Sequence, residues 1–299
     1  MKEILDIKTV HQCNCCLGCQ TLHPLASVIR LDDHTDVKQH GIRFDFYTVL
    51  LIENSNGDCC CCGRKSYDFS YATMVFLPPE QTFDMTRRRV LPQRGWLLAF
   101  HPDLLYGTSL KESIGHYTFF HYRKEEALHL SAREKDKITE CLQEMDSELH
   151  HPIDRHSQIL ISRYIELLLD YCTRFYERQF ITRENKNKLL IRQADNLLEK
   201  YISSGTLRNG TFPTAQYCAE QLKLSPHYFE DLLKFETGKT LTEYFHFKRL
   251  EAAKQMLAEQ GDTPAAISSL LGFSSVQQFC LWFKRITGSY PNEYRSLQN

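Results

Sequence analysis

Along the chain, the spacing of apolar positions changes period about 130 residues in. Before that point the pattern reads as short strands. RFDFYTVLLIE (43–53) is β-branched and aromatic and runs into the turn signal SNGD. YATMVFLPP (71–79) and GWLLAFHP (95–102) each end at proline. Several short strands with Gly/Pro punctuation predict a small sandwich or barrel. From Ser131 the pattern becomes helical. Ser131 and Glu134 form a capping box, and Ile138, Leu142, Met145 and Leu149 follow on one face. Pro152 breaks that helix. The next, from about Asp154 to Gln179, places Ile161, Ile165, Leu168, Cys172 and Phe175 at spacings of 4, 3, 4 and 3. So narrow a seam suits another helix, either from the same chain or from a second subunit, and dimerisation is the expectation. A third helix spans about Asn185 to Tyr201. The polar stretch SSGTLRNGTF (203–212) predicts a linker and a domain boundary.

The remainder repeats itself. LSPHYFEDLLKFETGKTLTEYF (224–245) returns fifty residues later as FSSVQQFCLWFKRITGSYPNEY (273–294). Phe229, Leu233, Lys234, Thr237, Gly238, Glu243 and Tyr244 match Phe279, Phe283, Lys284, Thr287, Gly288, Glu293 and Tyr294. Thr214, Leu222 and Leu224 match Thr263, Leu271 and Phe273 at an offset of 49. Each copy has the grammar of two short helices around a tight turn. Thr214 or Thr263 caps the first helix, and Gly238 or Gly288 stops the second. Phe229, Leu232 and Leu233, and Phe279, Trp282, Phe283 and Ile286, are expected to pack inward. Between the copies Thr240 and Glu243 open a further capped helix, about twenty residues and about 30 Å long. Two helix-turn-helix units on such a connector could enter successive major-groove segments, whose repeat is about 34 Å.

Residues 211–295 resemble the AraC/XylS family of bacterial transcription regulators. The residues that carry the resemblance are LSPHYFEDLLKFETGKTLTEY, KRLEAAKQML and ISSLLGFSSVQQFCLWFKRITGSYPNEYR. The match covers some 85 of 299 residues. It implies a double helix-turn-helix domain that binds promoter DNA and often recruits RNA polymerase. It also implies a cupin-like sensor barrel and a helical dimerisation region ahead of that domain. The expected class is therefore α+β. Residues 1–125 form the cupin-like effector-sensing barrel and 126–204 a helical dimerisation and linker region. Residues 205–299 form an all-α DNA-binding domain, with helix-turn-helix units at about 214–237 and 263–287.

Within that domain the expected DNA-facing residues are Ser225, His227, Tyr228, Glu230, Asp231 and Lys234 in the first unit. In the second they are Ser275, Val276, Gln277, Gln278, Cys280, Leu281, Lys284 and Arg285. Gln277 suits adenine, and Val276 and Leu281 suit thymine methyls. Lys234, Lys284 and Arg285 suit phosphates. Two positions depart from the family: Asp231 and Leu281 stand where many members have arginine. Residues 209–299 hold nine Lys/Arg and nine Asp/Glu. The domain is thus neutral, although DNA-binding domains usually carry a basic footprint. Weak affinity per monomer follows, with the first recognition helix contributing less than the second.

Composition narrows the remaining chemistry. Net charge is −1, with 42% apolar and 24% charged residues, so no bulk pull toward nucleic acid or acidic lipid exists. No apolar run reaches membrane-span length, and the N-terminus lacks a signal-peptide h-region, so a cytoplasmic protein is expected. Of twelve cysteines, eight fall in two clusters, at 13, 15, 16 and 19 and at 59–62. Cys13, Cys16, Cys19, Cys59 and Cys62 have the spacing to be metal-ligand candidates, and incidental thiols are the alternative. No nucleophile elbow, phosphate loop or clustered metal triad is present, and His34, His40 and His101 are scattered. No enzyme activity, cofactor or metal is expected. The barrel is expected to hold a small organic effector among Phe44, Phe46, Tyr47, Phe76 and Trp96. The reading is a DNA-binding activator working as a homodimer with promoter DNA, RNA polymerase and a small effector. The alternatives are a thiol-based metal or redox regulator, and a cupin-type enzyme with a helical interaction module.

Overall fold

A computed structural model describes residues 4–33, 41–53, 68–69, 71–84, 94–259 and 262–298. The chain forms two compact units, 1–183 and 184–299. The first contains β1 (Ile4–Ile7), α1 (Val10–Cys16), β2 (Ala26–Arg30), β3 (Gly41–Phe44), β4 (Tyr47–Glu53), β5 (Ala72–Leu77), β6 (Thr82–Asp84) and β7 (Gly95–Phe100). It continues with α2 (Leu110–Ser113), β8 (Leu128–Leu130), α3 (Ala132–Leu149) and α4 (Ser157–Thr182). The strands make a sheet of order β1-β3-β6 and a sheet of order β2-β7-β4-β5-β8. Neither sheet closes on itself. The mixed α+β class is as expected, and the N-terminal domain is built from two open sheets.

The segment 43–53, which reads as one strand in the sequence, is two. β3 pairs in parallel with β1, whereas β4 pairs with β5 and β7 in the other sheet. Asp45 and Phe46 make the corner between them, and Phe46 is fully buried. One apolar cluster joins the sheets: Ile7, Ile42, Phe44 and Phe83 from the small sheet meet Ile29, Leu50, Val75 and Leu97 from the large one. β5 and β7 are buried at all six positions. Their continuous apolar runs are therefore strands covered on both faces, not half-solvated ones.

Helices cover the outer face of the large sheet. α3 and α4 pack against each other, and α4 also against β8. Ile161, Ile165, Leu168, Cys172 and Phe175 are all buried within the unit, and Cys172 Sγ lies 3.7 Å from Met74 Sδ on β5. The narrow seam is thus used inside the chain. Its spacing suits any apolar partner, and α3 with the sheet supplies one. Further along α4, Gln179 Oε1 accepts from His129 N at 2.8 Å, and its Nε2 donates to Ala127 O at 3.1 Å. Arg178 grips Glu134 of the capping box through two bonds of 2.9 and 2.7 Å.

The second unit is all helical: α5 (Glu184–Ser203), α6 (Ala215–Leu222), α7 (Pro226–Thr237), α8 (Leu241–Ala258), α9 (Pro264–Leu270), α10 (Val276–Thr287) and α11 (Pro291–Gln298). α5 lies in this unit, packed on α6, α7 and α8. The 203–212 stretch is not a bare linker: it holds a short 3-10 turn at Thr206–Asn209 whose Leu207 is buried. One inward position is corrected. Ile286 is 50% exposed, because α10 turns only the side bearing Phe279 and Phe283 to the core. No helix among the described residues is long and apolar enough to cross a membrane.

Candidate nucleic-acid interface

The two helix pairs repeat bond for bond. Thr214 Oγ1 caps α6 by accepting from Tyr217 N, and Thr263 Oγ1 caps α9 by accepting from Ala266 N, at 3.1 and 3.2 Å. Leu224 N donates to Ala219 O, and Phe273 N to Ser268 O, closing the same helix end at 2.9 and 3.0 Å. Gly238 N and Gly288 N each reach a lysine carbonyl, of Lys234 and Lys284, at 2.8 Å. Thr237 Oγ1 donates to Leu233 O and Thr287 Oγ1 to Phe283 O. Glu243 and Glu293 each accept from the backbone N–H three residues earlier at 2.8 Å. A fifty-residue sequence echo is therefore a repeated hydrogen-bond framework, which needs those residue types at those places.

α8 joins the pairs. Its 18 residues span about 27 Å at 1.5 Å each. It is fixed to α5 by Tyr244 Oη donating to Asp195 Oδ1 at 2.5 Å and by Lys248 Nζ at 2.9 Å from the same carboxylate. The desolvated Tyr244 hydroxyl beside Asp195 is held well above the usual phenol range.

The two second helices present different surfaces. On α10, Val276, Gln277, Gln278, Leu281, Lys284 and Arg285 are exposed, as is the capping Ser275, and Cys280 is half-buried. Leu281 is 62% exposed, so its side chain is open to a partner on this face. On α7, Glu230 and Lys234 are exposed, and His227 and Asp231 are half-buried. Two expected contacts are corrected. Tyr228 is 1% exposed, and Ser225 is 3% exposed, its Oγ accepting from Tyr228 N at 3.3 Å. Ser225 is the helix cap, and Tyr228 turns into the core one residue from Phe229. The outward face of α7 is thus acidic and narrow, whereas that of α10 is broad, uncharged at its centre and basic at its end.

Elsewhere the expected sites disperse. Phe44 and Phe46 belong to the inter-sheet core. Tyr47 stacks on Phe100 at 5.0 Å, and Trp96 lies under the Arg30 guanidinium at 5.7 Å. Of the five, Phe76 lines a cleft among the described residues. This cleft has a volume of about 230 Å³ between β5, β6, the 119–127 segment and Tyr176 of α4. Cys13 is fully buried, and burial pushes its thiol far above the ordinary range. Burial also raises Cys16 and Cys19, which pack on the core. Cys59 and Cys62, like His34 and His40, lie outside the described residues. His101 caps a turn, its Nδ1 accepting from Asp103 N. Among the described residues, no three His, Cys, Asp or Glu side chains gather as a metal site.

Residues 218–296 match the family model for a helix-turn-helix domain. The chain is 37% identical over 83 residues to the uncharacterized HTH-type transcriptional regulator YobQ of Bacillus subtilis, covering 28% of this chain and 34% of that one. It is 31% identical over 151 residues to the probable transcriptional regulator LumQ of Photobacterium leiognathi, covering 50% and 52%. The chain thus spans about a third to about half the length of these curated relatives. Among solved structures it is similar to an AraC-type DNA-binding domain-containing regulator of Chromobacterium violaceum. That likeness is 22% identity over 38% of this chain and 96% of that one, with a TM-score of 0.33. Through its repeated helix pairs and the family match, residues 218–296 form an AraC-type helix-turn-helix domain, similar to that of HTH-type transcriptional regulators.

Proposed function

We propose that this protein is a sequence-specific DNA-binding transcription regulator whose second recognition helix does most of the reading. The observation that carries this is the solvent-facing surface of α10. Its centre offers Gln277 for a base edge and Val276 and Leu281 for methyl groups, and its C-terminal turn carries Lys284 and Arg285. Binding of the full chain to its own upstream DNA and to scrambled DNA, followed across a salt series, tests it. A preference that survives at each salt, with affinity falling linearly in log salt, is the expected result. Gln277→Ala should then reduce discrimination by about 1–3 kcal/mol. Glu230→Ala should leave it unchanged and tighten binding to all sequences, because the acid repels phosphate. Equal binding to every fragment of a genomic library would remove the reading.

Activation through RNA polymerase, and action in the cytoplasm, are parts of this proposal that rest on the family resemblance. A transcript made in vitro from the bound promoter should rise on adding the protein. The response to a small effector is assigned to the cleft beside Phe76, which touches α4 through Tyr176. A ligand seated there should change promoter affinity, and equal affinity with and without it would sever the link. With the narrow seam buried, a homodimer would use the neighbouring stripe of α4, one residue round the helix. There Leu160 and Leu167 are 44% and 46% exposed, and with Tyr164 and Tyr171 they again run at spacings of 4, 3 and 4. Sedimentation velocity should show a dimer that Leu167→Glu converts to monomer, and a wild-type monomer at all concentrations would discard it.

A further inference from the structure

Arg249 lies in the apolar stripe of α8, between Phe245 and Leu250, and is 3% exposed. Its Nη2 donates to the Leu271 carbonyl, at the end of α9, at 2.6 Å. Its guanidinium carbon lies 4.4 Å from the centre of the Phe273 ring, 5.2 Å from Phe212 and 5.6 Å from Trp282. Nη1 is 3.5 Å from His246 Nδ1, and Nε has no hydrogen-bond partner. Among the described residues no carboxylate pairs with it.

A buried guanidinium without a counter-charge is costly, and burial lowers its pKa to about 10. An apolar side chain would fill the same space more cheaply. What the guanidinium adds is direction. Its planar fork fixes one bond to the turn of the second helix pair, and its faces attract rings from three separate elements. Phe212 comes from the segment before α6, Phe273 from the turn and Trp282 from α10 itself. The first pair has no such group: the positions fifty and forty-nine residues earlier, Glu199 and Lys200, are exposed on α5.

We propose that Arg249 is a positioning residue for DNA reading, which sets the roll of α10 about its axis and so decides which of Val276, Gln277 and Leu281 meets a base. This rests on the DNA-binding function proposed above. Because Arg249 is buried, it touches no phosphate.

The test uses the full chain with Arg249→Met, which keeps length and apolar volume, and with Arg249→Lys, which keeps charge without the fork. The probes are the preferred upstream duplex and copies of it scrambled in one half-site at a time. Arg249→Met is expected to lose at least tenfold in discrimination at the half-site read by α10. It should leave the other half-site, the non-specific affinity and the salt slope unchanged, and Arg249→Lys should restore part of the loss. A loss that follows thermal stability equally at both half-sites, or no loss, would overturn the proposal. Amide exchange without DNA separates this from failure of the DNA reading. Protection across 276–287 should fall at least tenfold in Arg249→Met, with 226–237 unchanged, and equal protection in variant and wild type overturns the proposal even if no DNA is bound.

Discussion

Gly272→Ala should destabilise the helical unit by about 2–5 kcal/mol, summing about 1–2 for a left-handed residue with a side chain and about 1–3 for overpacking. Gly272 has φ +75°, and a Cβ there would lie 2.4 Å from the Leu207 carbonyl oxygen and 3.0 Å from its carbon. Backbone cannot step aside as a flexible side chain can. The first helix pair supplies the control. At the matching position, forty-nine residues earlier, Lys223 adopts φ +58° and is exposed. Lys223→Gly should therefore be neutral or stabilising by up to about 1 kcal/mol, because it relieves strain at a cost in unfolded-state entropy. Urea unfolding of both variants, followed by far-UV circular dichroism, reads the difference. A Gly272→Ala loss below that of an ordinary surface change would show that Leu207 does not press on the turn.

Breaking the buried ion pair of the first unit should cost about 3–5 kcal/mol. Arg183 follows α4 and meets Asp68 through two bonds, Nε to Oδ1 at 2.8 Å and Nη2 to Oδ2 at 2.6 Å, with both side chains 1% exposed. His129, buried on β8, lies 4.0 Å from the same carboxylate, and its Nδ1 is 3.2 Å from Thr73 Oγ1. Arg183→Met leaves a carboxylate in the core and Asp68→Asn leaves a guanidinium. Each single variant should thus lose most of this amount. The double variant Arg183→Met with Asp68→Leu removes both charges and should recover most of the loss. Thermal unfolding of the three proteins checks it. Single and double losses that simply add would mean the two groups act independently.

Most of the helical unit was legible because its signals are local. The caps at Thr214, Thr240 and Thr263 need only a side-chain oxygen and the next turn of backbone. Gly238 and Gly288 need only a left-handed φ. The fifty-residue echo carried these signals twice, so one reading checked the other. The strands were legible as apolar runs, but 43–53 was not legible as two strands. Both halves are equally apolar, and only the corner at Phe46, packed on core from both sheets, separates them.

The interface residues divide along the same line. Gln277, Leu281 and Arg285 face out because the opposite side of α10 is occupied by Phe279 and Phe283, an amphipathic pattern that periodicity reveals. Tyr228 broke that rule, because a ring beside Phe229 finds room in the core and a period of 3.6 cannot say how wide the buried face is. Arg249 had one signal, a charge at an apolar-stripe position, but its aromatic partners come from residues 212, 273 and 282 and meet only in the fold.

By itself, then, the sequence determined the double helix-turn-helix repeat, its caps and stops, and the resemblance of that segment to AraC-type domains. Those depend on chemistry within a few residues, or on a copy of it. Only the tertiary structure decided that the α4 seam closes within the chain, that the aromatic residues expected around an effector are mostly core, and that Gly272 must be glycine while Lys223 need not. Each of these is set by a partner distant in sequence, and an apolar stripe records that it will be covered without recording by what.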